Sequence, residues 1–412
     1  MRIGIAAARL GDVDGVSFEA LKWQSVLQEM GHDVVRCAGA LGDNRAAGDE
    51  LIPEMHLAYS PALEVSAAAF DTLSRPEIVR ATINRLAAQL EPRIEAWLAR
   101  ARVDVLIVEN AWAIPMQVPL GVALARVARR TGIPTIGHHH DYWWERERFT
   151  RCVVPEMLEE AFPPALTNVR HASINSLAAA QLEARRGLPS TVVPNVFDFD
   201  QPIPDHSIAD ARRLRHELGL SSGGLLVVQP TRVVPRKGIE LAIEMVARLR
   251  HPNSVLMITS PAGDEGHVYL ESLLDLAAQR NVELLYQPNR FYAGDSARPD
   301  SVAHSLADGY IAADVITYPS FYEGFGNALI ESVFFRKLIV VNRYSVYEAD
   351  IRPLGFRFIE LDGFVTDEAV GRLREALANP AQTAIDAEHN FALGAQHFGY
   401  GLLRAKLETL LG

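Results

Sequence analysis

The sequence predicts an α/β fold built from two Rossmann-like domains, each a doubly wound parallel sheet. Short apolar runs of strand length alternate with longer amphipathic helical patterns, which is typical of parallel sheets covered by helices on both faces. This alternation begins at the N-terminus and restarts after residue 200. The length of 412 residues also exceeds what one hydrophobic core usually supports. The sequence therefore predicts two domains of comparable size.

The first series of elements lies between residues 2 and 137. The expected strands are residues 2–8, 32–37, 103–108 and 134–137, and the expected helices are residues 18–30, 79–100 and 120–130. Pro92 falls inside the longest helical pattern, where proline predicts a kink or a break.

The second series follows a connector at residues 192–207, which contains three prolines and several acidic residues. Its expected strands are residues 225–229, 254–259, 282–286, 314–318 and 338–341, and its expected helices are residues 238–249, 270–279, 326–335 and about 384–411. We therefore predict one domain at residues 1–195, a second domain at residues 196–383 and a helical segment at residues 384–412. One option for this last segment is that it packs back on the first domain. Ligands bind outside the carboxyl ends of the strands in such sheets, so two domains facing across a cleft would place the active site in that cleft.

Composition and charge exclude several classes of protein. The net charge of −11 argues against broad nucleic-acid binding, which favours a basic surface. No run of about 18 apolar residues predicts a transmembrane segment, and the N-terminal apolar run is too short for a signal peptide. The two cysteines, Cys37 and Cys152, are too few for a disulfide framework, so we expect a reducing, cytoplasmic location. Peripheral membrane association stays open.

The segment at residues 314–331, DVITYPSFYEGFGNALIE, carries the most functional information. A strand ends at Tyr318, a glycine-containing turn follows, and a helix begins near Gly326. The N-terminus of a helix presents unpaired backbone N–H groups and a partial positive charge, which suit phosphate or sugar oxygens. Two carboxylates, Glu323 and Glu331, flank this turn within about 12 Å of helical rise. Ionised carboxylates are strong acceptors for paired hydroxyl groups, so both ends of a nucleotide-sugar could be held here.

This string, P-S-x-x-E-G-F-G-N-x-x-x-E after a strand, resembles the signature of family 4 of the retaining glycosyltransferases, which have the GT-B fold. Their E-x7-E element matches Glu323 and Glu331. The resemblance implies that Glu323 contacts the donor sugar, that Glu331 binds the ribose, and that the amides of Phe325, Gly326 and Asn327 meet sugar and phosphate oxygens. It also implies that the first domain handles the acceptor and that the second binds the nucleotide-sugar.

Cationic and glycine-containing loops supply the remaining donor-side candidates. The loop QPTRVVPRKG at residues 229–238 matches the family's R-x4-K element through Arg232 and Lys237. Two cations there can neutralise a departing diphosphate. The role of Arg236 is left open, and a side chain that points to solvent is one of the options. Near the N-terminus, GDVDGVS matches the family's glycine pair only at Gly15, because Asp14 stands in the other position. Backbone approaches a ligand most closely at glycine, so Gly15 is a candidate phosphate contact, with Arg9 as a further one.

Three consecutive histidines occur in the segment PTIGHHHDYWWERER at residues 134–148. Adjacent side chains on an extended chain point in different directions, so we predict no metal site. The resemblance places a histidine beside the reacting sugar after this strand, and His140 matches best. Acceptor-side candidates in the first domain are Asp141, Trp144, Asn110, Trp112 and Gln117.

The predicted activity is retaining, metal-independent transfer of a hexosyl group from a nucleoside-diphosphate sugar to an acceptor hydroxyl. By resemblance, catalysis rests on His140, Arg232, Lys237 and Glu323, with a front-side route in which a departing phosphate oxygen takes the proton. Glucose and mannose are the favoured sugars. The base (UDP, GDP or ADP) and the acceptor (a small molecule, a glycan or a lipid) stay open. So do a sugar-nucleotide epimerase, a phosphorylase and a catalytically silent sugar-nucleotide-binding protein of the same fold.

Other classes fit less well. A dinucleotide-dependent oxidoreductase would need G-x-G-x-x-G after the first strand, and residues 4–15 lack that spacing. A glycoside hydrolase would use the two carboxylates as an acid/base pair, but a basic loop beside a helix N-terminus suits a phosphate better.

Overall fold

The computed structural model describes residues 1–11, 15–42, 45–203, 205–220, 223–262, 267–292 and 304–412, and Asp14 lies outside these ranges. The chain forms two compact units. The first unit comprises Met1–Val196 together with Tyr400–Gly412, and the second comprises Phe197–Gly399.

The first unit is a seven-stranded sheet covered by helices. The strands, in chain order, are β1 Arg2–Ala7, β2 Asp33–Ala38, β3 Glu50–Leu51, β4 Val105–Glu109, β5 Thr135–His139, β6 Val169–Ser173 and β7 Ser190–Val192. The helices of this unit are α1 Gly15–Glu29, α2 Ser60–Ala69, α3 Pro76–Ala101, α4 Val118–Thr131, α5 Pro155–Ala161, α6 Ser176–Arg186 and, after the second unit, α14 Tyr400–Leu411. The strand order is β3-β2-β1-β4-β5-β6-β7, and each pairing is parallel.

Burial explains why these strands read as continuous apolar runs. All five residues of β4 and all five of β5 are buried, as expected for parallel strands with helices on both faces. On one face, the long helix α3 packs with α4 and α2. On the other, α14 packs beside α1, and its Leu403, Leu407 and Leu410 belong to the same apolar cluster as Trp23. Helix α14 is therefore part of the first unit's core.

The second unit is a six-stranded sheet with a separate two-stranded ribbon. Its strands are β8 Leu225–Gln229, β9 Ser254–Ile258, β10 Glu283–Tyr286, β11 Phe291–Tyr292, β12 His304–Ser305, β13 Val315–Tyr318, β14 Leu338–Asn342 and β15 Ile359–Leu361. Its helices are α7 Asp205–Glu217, α8 Ile239–Leu249, α9 His267–Gln279, α10 Leu306–Ala312, α11 Asn327–Phe334, α12 Asp367–Ala378 and α13 Pro380–Phe398. The main sheet has the order β10-β9-β8-β13-β14-β15, and its pairings are parallel. The predicted α/β class, with two Rossmann-like parallel sheets, is confirmed.

Two local predictions differ from the structure. Helix α3 continues through Pro92, because a stripe of buried residues that includes Leu90, Ile94 and Trp97 anchors it on both sides of the proline. The expected final helix is two helices, since the chain leaves helical geometry at Gly399, where φ is −86° and ψ is 168°. That break separates α13 of the second unit from α14 of the first.

Candidate active site

The turn between β13 and α11 in the second unit brings the predicted donor residues together. Gly326 precedes the helix with φ of 132°, a value that side chains rarely allow, and as a glycine it supplies no side-chain cap to the helix. The Phe325 ring is buried, and the backbone carbonyl of Phe325 accepts a hydrogen bond from the Tyr344 hydroxyl at 2.6 Å. Phe325 and Gly326 therefore offer backbone rather than side chains, and Asn327 is the first residue of the helix.

Glu323 is a buried carboxylate held by two cations. Its side chain is 8% exposed, and it accepts hydrogen bonds from the Lys237 ammonium and, at 2.9 Å, from the Arg236 guanidinium. Burial by itself would raise the pKa of Glu323, but the charges of Lys237 and Arg236 outweigh it and lower that pKa. Lys237 also lies 5.5 Å from the centre of the Tyr318 ring, in cation–π contact. Glu323 is therefore ionised and fixed at neutral pH.

Arg236 and Arg232 have different environments. Arg236, whose role the sequence left open, binds both the Glu323 carboxylate and the Tyr322 carbonyl, so it is part of this cluster rather than a simple surface residue. Arg232 is exposed, and within the described ranges no residue forms a hydrogen bond or ion pair with its guanidinium. Burial, the largest influence, lowers the pKa of Lys237, and the charges of Arg236 and Arg232 act in the same direction while Glu323 opposes them. A cationic site of this kind suits an anionic ligand.

The second carboxylate of the E-x7-E element is oriented by a tyrosine. Glu331 is partly buried and accepts a hydrogen bond from the Tyr310 hydroxyl at 2.7 Å. The Tyr310 ring stacks on Phe335 with centroids 5.0 Å apart. Burial, and then the charge of Glu331, raise the pKa of Tyr310 well above its ordinary value, so its hydroxyl stays a donor. Sequence reasoning missed Tyr310, because no short motif links it to a carboxylate 21 residues away.

In the first unit, His140 is bound by a carboxylate that sequence reasoning did not single out. Glu109 and His138 are register partners at the ends of β4 and β5. Glu109 accepts a hydrogen bond from His138 Nδ1 at 2.9 Å and from His140 Nε2 at 2.7 Å. Burial would raise the pKa of Glu109, but the two imidazoles lower it to about 2. For His140, burial lowers the pKa, and its contact with Glu109 more than compensates, so the pKa is raised.

Two of the acceptor-side candidates have structural roles; the burial of Trp112 corrects its prediction, whereas an acceptor role for Gln117 stays a prediction. Trp112 is 0% exposed, and its indole N–H donates to the Gly121 carbonyl at 3.0 Å, so it belongs to the core. Gln117 caps helix α4, accepting from the Leu120 amide at 2.9 Å. It also lines a cavity of about 340 Å³ in the first unit.

The remaining candidates are partly exposed. Asn110 accepts a hydrogen bond from the His140 amide at 3.0 Å, so it supports His140. Asp141 is bound by the Arg146 guanidinium. Trp144 stacks on Tyr142 with centroids 4.5 Å apart and donates to Gln181. Acceptor roles for Asp141 and Trp144 stay predictions.

The other first-unit candidate for donor binding is Gly15. It is exposed and is the first residue of helix α1. Its proposed contact with a phosphate stays a prediction.

One group of described residues has metal-ligating atoms close together. These atoms, on Glu109, His138 and His140, lie within 4.8 Å of one another. Consecutive side chains on an extended chain point in different directions, but His138 and His140 are two residues apart and share a face. The directions of adjacent side chains thus do not exclude a metal bound by this pair and Glu109. The prediction of no metal was therefore based on an incomplete geometric argument, and it stays a prediction.

Comparison with known proteins relates the chain to sugar-transferring enzymes. Residues 210–391 match the family model described as glycosyl transferases group 1. The chain is 31% identical over 440 aligned positions to a mannosylglucosylglycerate synthase of Thermotoga maritima, covering 97% of this chain and 96% of that protein. It is 33% identical over 389 positions to a protein of the same name from Petrotoga mobilis, covering 88% and 86%.

Solved structures show the same fold at low sequence identity. HepE of Anabaena in complex with UDP superposes with a TM-score of 0.67 and 16% identity, covering 100% of this chain and 99% of that one. WaaG, a glycosyltransferase involved in lipopolysaccharide biosynthesis, gives a TM-score of 0.63 and 14% identity over the full length of both chains. Among the described residues, no helix is both long and apolar enough to cross a membrane.

Proposed function

Because the chain belongs to the group 1 glycosyltransferases of GT-B fold, we propose that it transfers mannose from a nucleoside-diphosphate mannose to glucosylglycerate, with retention of configuration. Two relatives similar over most of their length carry the name of the product, mannosylglucosylglycerate. The observation that carries the transfer reaction is the buried Glu323, fixed by Lys237 and Arg236 just before the glycine-capped N-terminus of α11. These groups suit a sugar hydroxyl and a diphosphate placed side by side.

Stabilisation of the leaving group is the main chemical role proposed for the second unit. As the glycosidic bond breaks, negative charge grows on the diphosphate, and preorganised cations at that position lower the barrier. Arg232 supplies an exposed guanidinium, Lys237 a buried ammonium, and the N-terminus of α11 its backbone amides. Gly15 of the first unit adds a backbone contact to the phosphate in this proposal.

Positioning of the donor falls to the two carboxylates. Glu323 accepts from a hydroxyl of the mannosyl group, and Glu331, oriented by Tyr310, accepts from the ribose. The Lys237 ammonium has three N–H donors, so in this proposal it keeps its bond to Glu323 and also donates to a phosphate oxygen. His140 contacts the donor sugar and orients it.

The proton and the stereochemistry follow from a front-side route. The acceptor hydroxyl attacks from the face that the diphosphate leaves, and a departing phosphate oxygen takes its proton. Side-chain cations provide the charge stabilisation, so the proposed reaction is metal-independent.

The test is a transfer assay with purified protein. GDP-, UDP- and ADP-linked mannose and glucose are each incubated with glucosylglycerate, with EDTA or with Mg²⁺, and products are analysed by chromatography and NMR. We expect one mannosyl donor to give a product with two sugars linked to glycerate, with the anomeric configuration of the donor retained, equally in EDTA. An inverted product would refute retention, and loss of activity in EDTA would refute metal independence. Donor binding without transfer to glucosylglycerate would refute the proposed acceptor and leave the silent-binder alternative, and conversion of the sugar alone would favour an epimerase.

A further inference from the structure

A buried carboxylate between two imidazoles is the feature that the proposed chemistry leaves unexplained. Glu109 is 2% exposed, and each of its oxygens accepts from a different histidine. The neighbouring residue, Asn110, accepts from the backbone N–H of His140. The dipeptide at the end of β4 therefore holds His140 by its ring and by its backbone.

The direction of each hydrogen bond fixes the protons. An ionised carboxylate can only accept, so His138 Nδ1 and His140 Nε2 must both carry hydrogen. Nε2 of His138 is buried and has no hydrogen-bond partner among the described residues, so a proton there would be a buried donor that those residues leave unsatisfied. A hydrogen on Nδ1 therefore gives His138 its bond to Glu109, and its ring stacks on Trp23 with centroids 4.1 Å apart.

The same observation argues against a metal ion in this cluster. A metal bound to His138 Nδ1 would move the ring proton to Nε2, which the described surroundings leave without an acceptor. Histidines that ligate metals almost always donate their other N–H to a partner. The cluster is therefore better suited to hydrogen bonding than to metal coordination.

His140 differs from His138 in what its second nitrogen meets. Nδ1 of His140 has no hydrogen-bond partner among the described residues, and it is not among the buried unpartnered nitrogens. The side chain is 11% exposed. With Nε2 committed to Glu109, Nδ1 is the ring nitrogen left for a bound substrate.

We propose that Glu109 is a positioning residue for glycosyl transfer, which holds the His140 ring so that Nδ1 meets the substrate. This inference rests on the proposed function, because it assigns His140 to the reacting sugar. His138 and Trp23 complete the arrangement by fixing Glu109 from its other side. Glutamine cannot replace Glu109, because an amide accepts on one atom and donates on the other. One of the two imidazoles must then change its proton position or its orientation.

The experiment compares Glu109→Gln with three variants of the full chain. We expect Glu109→Gln to lower kcat for mannosyl transfer by about 10- to 100-fold, by analogy with the loss seen when the partner that orients a metal-binding histidine is removed. KM for the nucleotide-sugar should change little, since the donor-binding candidates other than Arg9, Gly15 and His140 lie in the second unit, and Glu109 is bonded to none of these. His138→Phe keeps a ring on Trp23 and leaves the pair of Glu109 and His140, so its loss should be smaller. Asp49→Asn removes another buried carboxylate, bound by Arg36, and should lower the thermal midpoint without lowering kcat. His140→Ala should lose at least as much activity as Glu109→Gln.

Nitrogen-15 NMR of histidine-labelled protein gives a readout that does not depend on activity. In the wild-type protein His140 should be protonated on Nε2 and His138 on Nδ1, and Glu109→Gln should alter one of them. An unprotonated His140 Nε2, or a stoichiometric metal that Glu109→Gln releases, would overturn the inference. So would an active wild type whose Glu109→Gln variant keeps its kcat while His140→Ala loses it. A wild type that forms no mannosylglucosylglycerate would refute the proposed function, and the NMR result would then still decide the geometry at His140.

Discussion

Replacement of Gly326 by alanine is expected to destabilise the second unit, because the turn before α11 has no room for a methyl group. A Cβ atom at this position would lie 2.7 Å from the Tyr344 hydroxyl and 3.3 Å from the Tyr318 hydroxyl. The Tyr344 hydroxyl cannot move without losing its bond to the Phe325 carbonyl. The φ value of 132° is itself strained for any residue with a side chain.

The size of the effect follows from these two contributions. Backbone strain of this kind costs about 1–3 kcal/mol, and the lost hydrogen bond about 1 kcal/mol. The sum, roughly 2–4 kcal/mol, lowers the thermal midpoint of a unit of about 200 residues by about 5–15 °C.

The assay is calorimetry or a thermal-shift measurement on the wild type and two variants. The matched control is Gly371→Ala, since Gly371 is exposed within α12 and an added Cβ there has no neighbour within 4 Å. That variant should be as stable as the wild type or more stable by about 0.5–1 kcal/mol. A Gly326→Ala protein whose transition lies within about 1 °C of the wild type would refute the steric argument.

Three further predictions concern charge and hydrogen bonding. Lys237→Ala should lower kcat by about 10²–10³-fold, because the leaving diphosphate loses a preorganised cation; an unchanged kcat in steady-state assays would contradict this. Tyr310→Phe keeps the stacked ring but frees Glu331, so calorimetric titration should show nucleoside-diphosphate binding weakened by about 5- to 15-fold; equal affinity would show that the hydroxyl is irrelevant. Burial lowers the pKa of His171 to about 4 in the folded state, so the unfolded chain binds this proton more readily. Its contribution to stability is therefore complete above pH 6.5 and should fall by about 3 kcal/mol towards pH 4. Urea unfolding at several pH values checks this, with His171→Gln expected to flatten that part of the profile.

The strand and helix series could be predicted because parallel sheets give continuous apolar runs with polar loops between them. The strand predicted at residues 225–229 coincides with β8. Helix α11 was located by its glycine turn and by the spacing of Glu323 and Glu331. Such signals lie within about 20 residues of sequence, where local patterns determine the structure.

The partners of the site residues were not predictable in the same way. Glu109 and His140 are 31 residues apart, and only the register of β4 against β5 brings them together. The alternation of side chains along a strand could have placed His138 and His140 on one face. Trp112 was misassigned for a related reason. The sequence pattern of an aromatic residue after a strand is the same whether its ring faces a ligand or the core, and only the tertiary packing shows that Trp112 is buried.

The position of helix α14 affects how the protein is made. Residues 1–196 of the first unit are translated before the second unit, yet Leu403, Leu407 and Leu410 of the first unit's core are translated after it. The whole of the second unit leaves the ribosome before them. Until α14 has been synthesised, the surface of the first unit around Trp23 is uncovered, so this unit cannot complete its core before the whole of the second unit has been translated. A fragment cut after Val196 would keep that surface uncovered permanently.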